Sequence, residues 1–289
     1  MSSGASPMFT TGECIAFAER SPRAVANKDR RGWIDLFAQN SVVEDPVGSA
    51  PHISGVPQDR GGARTASRLG AFYDTFIAPN EIQFHVDRDN VSGLQIMRDL
   101  TIQIDMSTQV TVYVPVHLLY ELCIQEGELK IARLAAHWEL LPMLKQQMAS
   151  GWPFLRVGLA SALRLLRHLG WGGMLGFARA LFGVGEAGKQ QAIRFAEYFN
   201  AHKQAELTAL FELHALPSVD APGFGGRRPL QDMLKEDGVV VLSKVLAAGD
   251  VVSATVHYQQ GERDYRGVAL FKLQRRSLQI DGVSFYWSA

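Results

Sequence analysis

The chain has 289 residues with 29 basic and 29 acidic side chains, a formal net charge of zero, and 47% hydrophobic residues. That length suits about two domains, and that composition a globular protein with a sizeable core. Balanced charge gives nucleic acid no electrostatic footing as a partner, and with only Cys14 and Cys123 there is neither a disulfide framework nor a cysteine-based zinc site.

Taken in order, Met1 to Glu13 lacks the basic start and apolar core of a secretion signal and reads as a short lead-in. A cytoplasmic location with two reduced thiols is the expectation. Residues 12–38 are helical in pattern, with Ser21-Pro22 as a start signal and Trp33, Ile34, Leu36 and Phe37 forming an apolar face. Val42-Val43-Glu44-Asp45-Pro46-Val47-Gly48-Ser49 follows. Proline disfavours the helical region for the residue before it, so Asp45 is expected on a stiff extended segment, with Gly48 turning the chain back. A second helix is expected over 61–77, where Leu69, Phe72, Tyr73 and Phe76 recur at helical spacing. From Glu81 the period becomes two. Strands are expected through Leu100–Met106, 110–122 and 128–140. Helices followed by long strands without helical crossovers predict the α+β class, with a curved antiparallel sheet.

The second half repeats this order. Helices are expected at 187–199, 202–213 and 228–235, then strands at 238–247, 250–258, 264–274 and 277–288. His117 to Leu122 aligns with Val268 to Leu273, and Ala136-His137-Trp138 with Phe285-Tyr286-Trp287. The expected organisation is a domain over 8–145, a helical connector over 146–185, and a shorter domain of the same fold over 186–289. Two copies in one chain are expected to form an internal pseudo-dimer, with a homodimer as the alternative.

The connector is apolar and basic. From Leu140 to Gly185 there is no Asp or Glu, while Lys145, Arg156, Arg164, Arg167 and Arg179 are present. It reads as one or two amphipathic helices broken at Gly170-Trp171-Gly172-Gly173, too interrupted to span a bilayer. The expectation is a brace that buries Leu159, Leu163 and Leu166 against the domains. The alternative is membrane-surface contact through 152–182.

Trp33 to Asn40, Ser41 to Ser49, Pro51 and Gly55 together resemble the delta-5-3-ketosteroid isomerases, within the cone-shaped α+β fold shared with nuclear transport factor 2 and small polyketide cyclases. The resemblance implies that Asp45 is the general base shuttling a proton between carbons of an enone, and that no cofactor is needed. The family's helix tyrosine falls at Ser21 or Pro22, which cannot replace a phenol, and its strand aspartate falls at His117. His117 is therefore the expected oxyanion donor. Tyr113, Trp33, Phe72 and Tyr73 are the expected substrate contacts. In the second domain Val268 replaces His117, and Asp220-Ala221-Pro222-Gly223 only loosely echoes Asp45 to Gly48. That domain is expected to be degenerate. The eight histidines form no i, i+4 pair or ligand run, so no metal is expected. The functional expectation is an isomerase-like enzyme acting on an apolar, enolisable carbonyl compound. The alternatives are a non-catalytic steroid or lipid carrier, or a cyclase or dehydratase.

Overall fold

The computed structural model describes residues 9–54, 67–212, 218–221, 226–229, 234–235 and 238–287. Three short helices open the chain: α1 (Thr11–Ala18), α2 (Arg20–Ala26) and α3 (Arg30–Asp35). Thr10 and Glu13 form a capping box on α1, and Asp29 caps α3 by accepting from the Gly32 amide. The single helical run expected over 12–38 is thus divided, with a break at Lys28, whose φ is +55°. It also ends early. Phe37 begins strand β1 (Phe37–Glu44), because this stretch pairs in parallel with β6 (Glu128–His137). Tertiary pairing overrides the helical spacing there.

The short strand β2 (His52–Ile53) lies on the other side of β1. Helix α4 (Ser67–Phe72) continues as a π turn over Tyr73–Ile77, and three long strands follow: β3 (Glu81–Ser92), β4 (Gln95–Ser107) and β5 (Val110–Gln125). The first part of the helix expected over 61–77 lies outside the described residues. The sheet order is β2-β1-β6-β5-β4-β3.

After the connector the pattern recurs with α7 (Gly185–Asn200), α8 (Gln204–Ala209), β7 (Ser218–Ala221), β8 (Gly226–Pro229), β9 (Gly238–Ala248), β10 (Val251–Gln260), β11 (Arg263–Leu273) and β12 (Ile280–Trp287). Its sheet order, β8-β7-β12-β11-β10-β9, is that of the first sheet position for position, with β7 parallel to β12. Part of the helix expected over 228–235 is strand, since β8 runs to Pro229. The two ladders superpose in register. His117 faces His137 in one, and Val268 faces Tyr286 in the other. Likewise the Ile131 amide donates to the Leu36 carbonyl at 2.8 Å, and that of Ile280 to Leu210 at 2.7 Å. The fold is α+β, two curved sheets each with its own helices.

Side-chain alternation decides what each face touches. On β5, Val112, Val114, Val116, Leu118 and Tyr120 point into a core shared with α1–α4, while Leu119 and, across the ladder, Met97 and Ala135 point the other way. Those outward residues meet Ala248, Val268 and Tyr286 of the second sheet. The contact is reciprocal: β12 lies against β3, and β6 against β9. At its edge Gly48 and Gly249 meet backbone to backbone, and a Cβ on Gly249 would stand 2.7 Å from the Gly48 Cα.

A polar chain crosses the same interface. Lys244 donates to Asp99 at 2.5 Å, and the Thr255 hydroxyl donates to the other Asp99 oxygen at 2.5 Å. His117 completes it, Nε2 lying 3.1 Å from Thr255 Oγ1 and Nδ1 2.8 Å from Ser253 Oγ. With the threonine proton committed to Asp99, Nε2 carries the imidazole proton and Nδ1 accepts from Ser253. Burial is the main cause of a His117 pKa lowered to about 3, so the ring is neutral.

The connector consists of α5 (Leu140–Ala149) and α6 (Trp152–Ala178), the latter kinked at Gly170, where φ is +67°. It is not the expected brace. Leu159 is 64% and Leu163 58% exposed, and only Val157, Leu165 and Gly176 of α6 are buried. Leu166 is half-buried. Among the described residues, no helix is long and apolar enough to cross a membrane.

The interface chain generates a first prediction. Asp99→Ala removes an acceptor from both Lys244 and Thr255 and leaves Lys244 with the Leu100 carbonyl at 2.6 Å and Asp87 at 3.9 Å, and urea unfolding is expected to show a loss of about 1–3 kcal/mol. Leu119→Ala, from the apolar part of the same interface, is expected to lose about 2–5 kcal/mol.

Candidate active site

Asp45 follows β1 directly. Val43, two residues earlier, points into the first core, and Asp45 shares its parity. The Asp45–Pro46 peptide is cis. Beyond it the Val47 amide donates to the Ala136 carbonyl at 2.9 Å, which ties the turn to the end of β6. Trp138, just past β6, donates from Nε1 to Asp45 Oδ1 at 2.5 Å. Burial pushes the Asp45 pKa up to about 6, and the Trp138 hydrogen bond opposes that rise.

Aromatic rings line the neighbouring helices. Phe72 lies 5.0 Å from His52 and 5.1 Å from Phe76. Phe76 in turn stacks on Phe177 of α6 at 5.2 Å. The Ala50 amide donates to the Gly176 carbonyl at 3.0 Å. A Cβ on Gly176 would stand 2.5 Å from that of Ala50, so glycine permits α6 to close down beside the Asp45 turn. The connector thus covers this end of the first domain.

A second polar group on the same inward face is Tyr120, which faces Leu134 on the ladder, as does Val43 from the other side. Its phenol is fully buried, with the Ser21 hydroxyl and the Arg98 guanidinium as partners. Ser21 itself accepts from Trp33 Nε1 at 3.2 Å. Arg98 can only donate to the phenolic oxygen, whereas either hydroxyl of the Tyr120–Ser21 pair can be the donor. Burial raises the Tyr120 pKa, and Arg98 and Ser21 hold it down. Arg98 is anchored by Asp89 at 2.7 and 3.1 Å and by Glu19. A phenol therefore does arrive at Ser21, from a strand rather than from the helix. The strand alternation that places Tyr120 inward was readable in the sequence; its convergence on Ser21 was not.

The expected site residues separate. His117 is not on the cone side: it lies on the back of β5, both ring nitrogens are engaged by the second domain, and it has no hydrogen left for a substrate oxygen. A shift of one residue along a strand reverses the face, and the alignment to the family's strand aspartate crossed that line. Tyr113 shares the outer face and is 53% exposed. Its backbone N–H and C=O are satisfied by Gln146 of α5 at 3.0 and 2.9 Å. Trp33, Phe72 and Tyr73 are brought together in the helix core, with Trp33 5.9 Å from Phe72 and 5.7 Å from Tyr73. The Tyr73 hydroxyl is buried near Asp29, Asp74 and Arg30, with no hydrogen-bond partner among the described residues. Among the described residues, no cluster of His, Cys, Asp and Glu suits a metal ion.

The second domain lacks the acid. Ser284 pairs with Asp220 as Ala135 pairs with Glu44. Asp220 is therefore the counterpart of Glu44, and Ala221 stands where the first domain has Asp45. The echo read over 220–223 is displaced by one residue. The interior of this domain is filled by Phe195, Phe199, Phe211, Phe271, Phe285 and Trp287.

No protein-family model and no curated protein matches the chain. Among solved structures, it is similar to the delta-5-3-ketosteroid isomerase of Mycobacterium sp., at 30% identity over 43% of this chain and 92% of that one, with a TM-score of 0.35. A Mycobacterium tuberculosis protein in complex with estradiol-17β-hemisuccinate matches at 24% identity over 45% and 95%, with a TM-score of 0.37. An LEH-like epoxide hydrolase of M. tuberculosis matches at 20% over 53% and 97%, with a TM-score of 0.36. Each accounts for about one half of this chain. The protein is an α+β cone-fold protein. More narrowly, it carries the ketosteroid isomerase-like, nuclear transport factor 2-like fold in tandem copies.

The site makes a prediction about stability. A carboxyl whose pKa is raised by folding keeps its proton in the native state at pH values where the unfolded chain has lost it. Asp45 therefore lowers stability as pH rises from about 4 to about 6. Asp45→Asn is expected to stabilise the protein at pH 7.5 by up to about 3 kcal/mol, with the gain vanishing towards pH 4. The buried, neutral His117 and His137, lowered to about 3 and about 4, act in the opposite sense below pH 6.5. The variant and the wild type are therefore compared at each pH. Equal stability at every pH removes Asp45 from a strained site.

Proposed function

We propose that the first domain binds an apolar, enolisable carbonyl compound of steroid-like or polycyclic shape, and that Asp45 moves a proton between its carbons. One observation supports this above the others: a carboxylate on the inward face of the cone, with Trp138 as hydrogen-bond donor and a pKa raised to about 6. Such a base is ionised near neutrality yet basic enough to take a proton next to a carbonyl. The carbon–hydrogen bond breaks, its electron pair enters the enolate, and negative charge gathers on the carbonyl oxygen. Tyr120 donates to that oxygen. Its phenol is polarised by Arg98 and Ser21 and held out of water, where a donor stabilises charge most. Protonated Asp45 then returns the proton at the far carbon of the conjugated system, so acid and base balance with no cofactor. Trp138 keeps the carboxylate oriented through both steps. The second domain, with Ala221 in place of Asp45, supports the first through the back-to-back sheets.

The test is solvent-deuterium exchange into a bound cyclic enone. Asp45→Asn is expected to abolish exchange while leaving binding nearly unchanged, and Tyr120→Phe to slow it about 100–1,000-fold. The wild-type rate is expected to rise with pH through an inflection near 6. Trp138→Phe removes the hydrogen bond that holds the Asp45 pKa down, so the inflection moves up. Full exchange in Asp45→Asn removes Asp45 from the mechanism, and binding by the wild type with no exchange above the uncatalysed rate leaves a carrier of the same ligand class.

A further inference from the structure

We propose that α6 seats this protein on an anionic lipid bilayer, lying in the plane of the surface with its outer face in the headgroup layer. This goes beyond the chemistry proposed for Asp45 and stands without it. On a helix of 3.6 residues per turn, Trp152, Leu155, Leu159 and Leu163 fall within about 80° of one another. All four are exposed, Trp152 at 80%. Past the kink, Trp171 at 67% and Leu175 at 65% extend the exposed apolar surface. A contiguous apolar face of this kind marks an interaction site on a folded chain.

The charge around it selects the partner. Arg156 and Arg167 are exposed and border the apolar stripe on one side, within about 40° of Leu163. From Leu140 to Gly185 there is no acidic residue to neutralise them or Lys145 and Arg179. Arg164 is half-buried and turned away, with Nη2 on Ser161. A second copy of the chain would bring arginines against arginines with no carboxylate from this face between them. An anionic headgroup layer supplies the missing negative charge, while tryptophan and leucine enter the acyl boundary. The helix lies on the surface and does not cross it, for among the described residues none is long and apolar enough to span.

The position of the helix adds a consequence. The same α6 that carries the stripe ends on Gly176 and Phe177, packed on Ala50 and Phe76 beside the Asp45 turn. Seated on a bilayer, the cone's covered end lies next to the apolar phase. If the reading of Asp45 holds, its ligand enters from the membrane.

Co-sedimentation of the full chain with vesicles tests this. Pelleting is expected with mixed phosphatidylcholine and phosphatidylglycerol at low salt, and is expected to be lost with phosphatidylcholine alone and weakened by high salt, which screens the arginines. Leu159→Ser with Leu163→Ser, and separately Arg156→Gln with Arg167→Gln, are each expected to lower vesicle affinity at least tenfold without shifting the melting temperature, because these side chains are exposed. Three results overturn the proposal. One is no pelleting of the wild type; another is pelleting undiminished by the leucine pair. The third is a dimer in sedimentation velocity that the leucine pair dissociates, with no vesicle binding. Enone exchange is measured on the same variants in detergent-free buffer. Exchange retained with vesicle binding lost separates failure at the surface from failure at Asp45.

Discussion

The alternation of β5 and its neighbours governs this molecule, because each face of the first sheet is claimed by a different part of the chain. Even-numbered positions of β5 close a core with α1–α4. Odd-numbered positions on β4 and β5 pack on the second sheet, through Met97 and Leu119 on the apolar side and Asp99 and His117 on the polar side. A sheet buried on both faces must satisfy every polar side chain it carries. The chain from Ser253 through His117, Thr255 and Asp99 to Lys244 does so donor by donor. In it His117 stands where the second repeat has the apolar Val268, and Asp99 where that repeat has Thr255, itself a member of the chain. The repeats share a fold, but their contact is asymmetric in chemistry.

The same alternation explains why one domain holds a reactive group and the other does not. Asp45 is inward because it keeps the parity of Val43, and Trp138 reaches it because β6 ends alongside. In the second domain, register places Ala221 at that point, and aromatic side chains fill the interior. The second domain packs its sheet against the back of the first. In the connector α5 packs on the first domain, with Leu140 buried and Met143 against its core. One end of α6 is packed against the first domain at Gly176 and Phe177, and the other presents Trp152, Leu159 and Leu163 outward.

Much of this was legible in the sequence. Period-two stretches located the long strands, the pairing of His117–Leu122 with Val268–Leu273 exposed the repeat, and the residues from Trp33 to Ser49 pointed to Asp45. Three things were not. Phe37 and Ala38 read as the end of a helix because their strand state depends on a distant partner, β6. His117 reads as a pocket residue because a count of residues along a strand can slip by one, and that slip exchanges interior for interface. The outward face of α6 reads as a brace because periodicity locates an apolar stripe without saying what covers it. Tyr120 was readable as an inward residue, but its meeting with Ser21 and Arg98 joins three elements remote in sequence.

The account rests on Asp45 being a half-buried carboxyl on the cone side of the sheet, with a pKa raised by its surroundings. Its own titration, followed by the side-chain carboxyl resonance in ¹³C-labelled protein and assigned by its loss in Asp45→Asn, tests that most directly. The account predicts a midpoint near 6. A midpoint near 4, the value of a solvated aspartate, would contradict it.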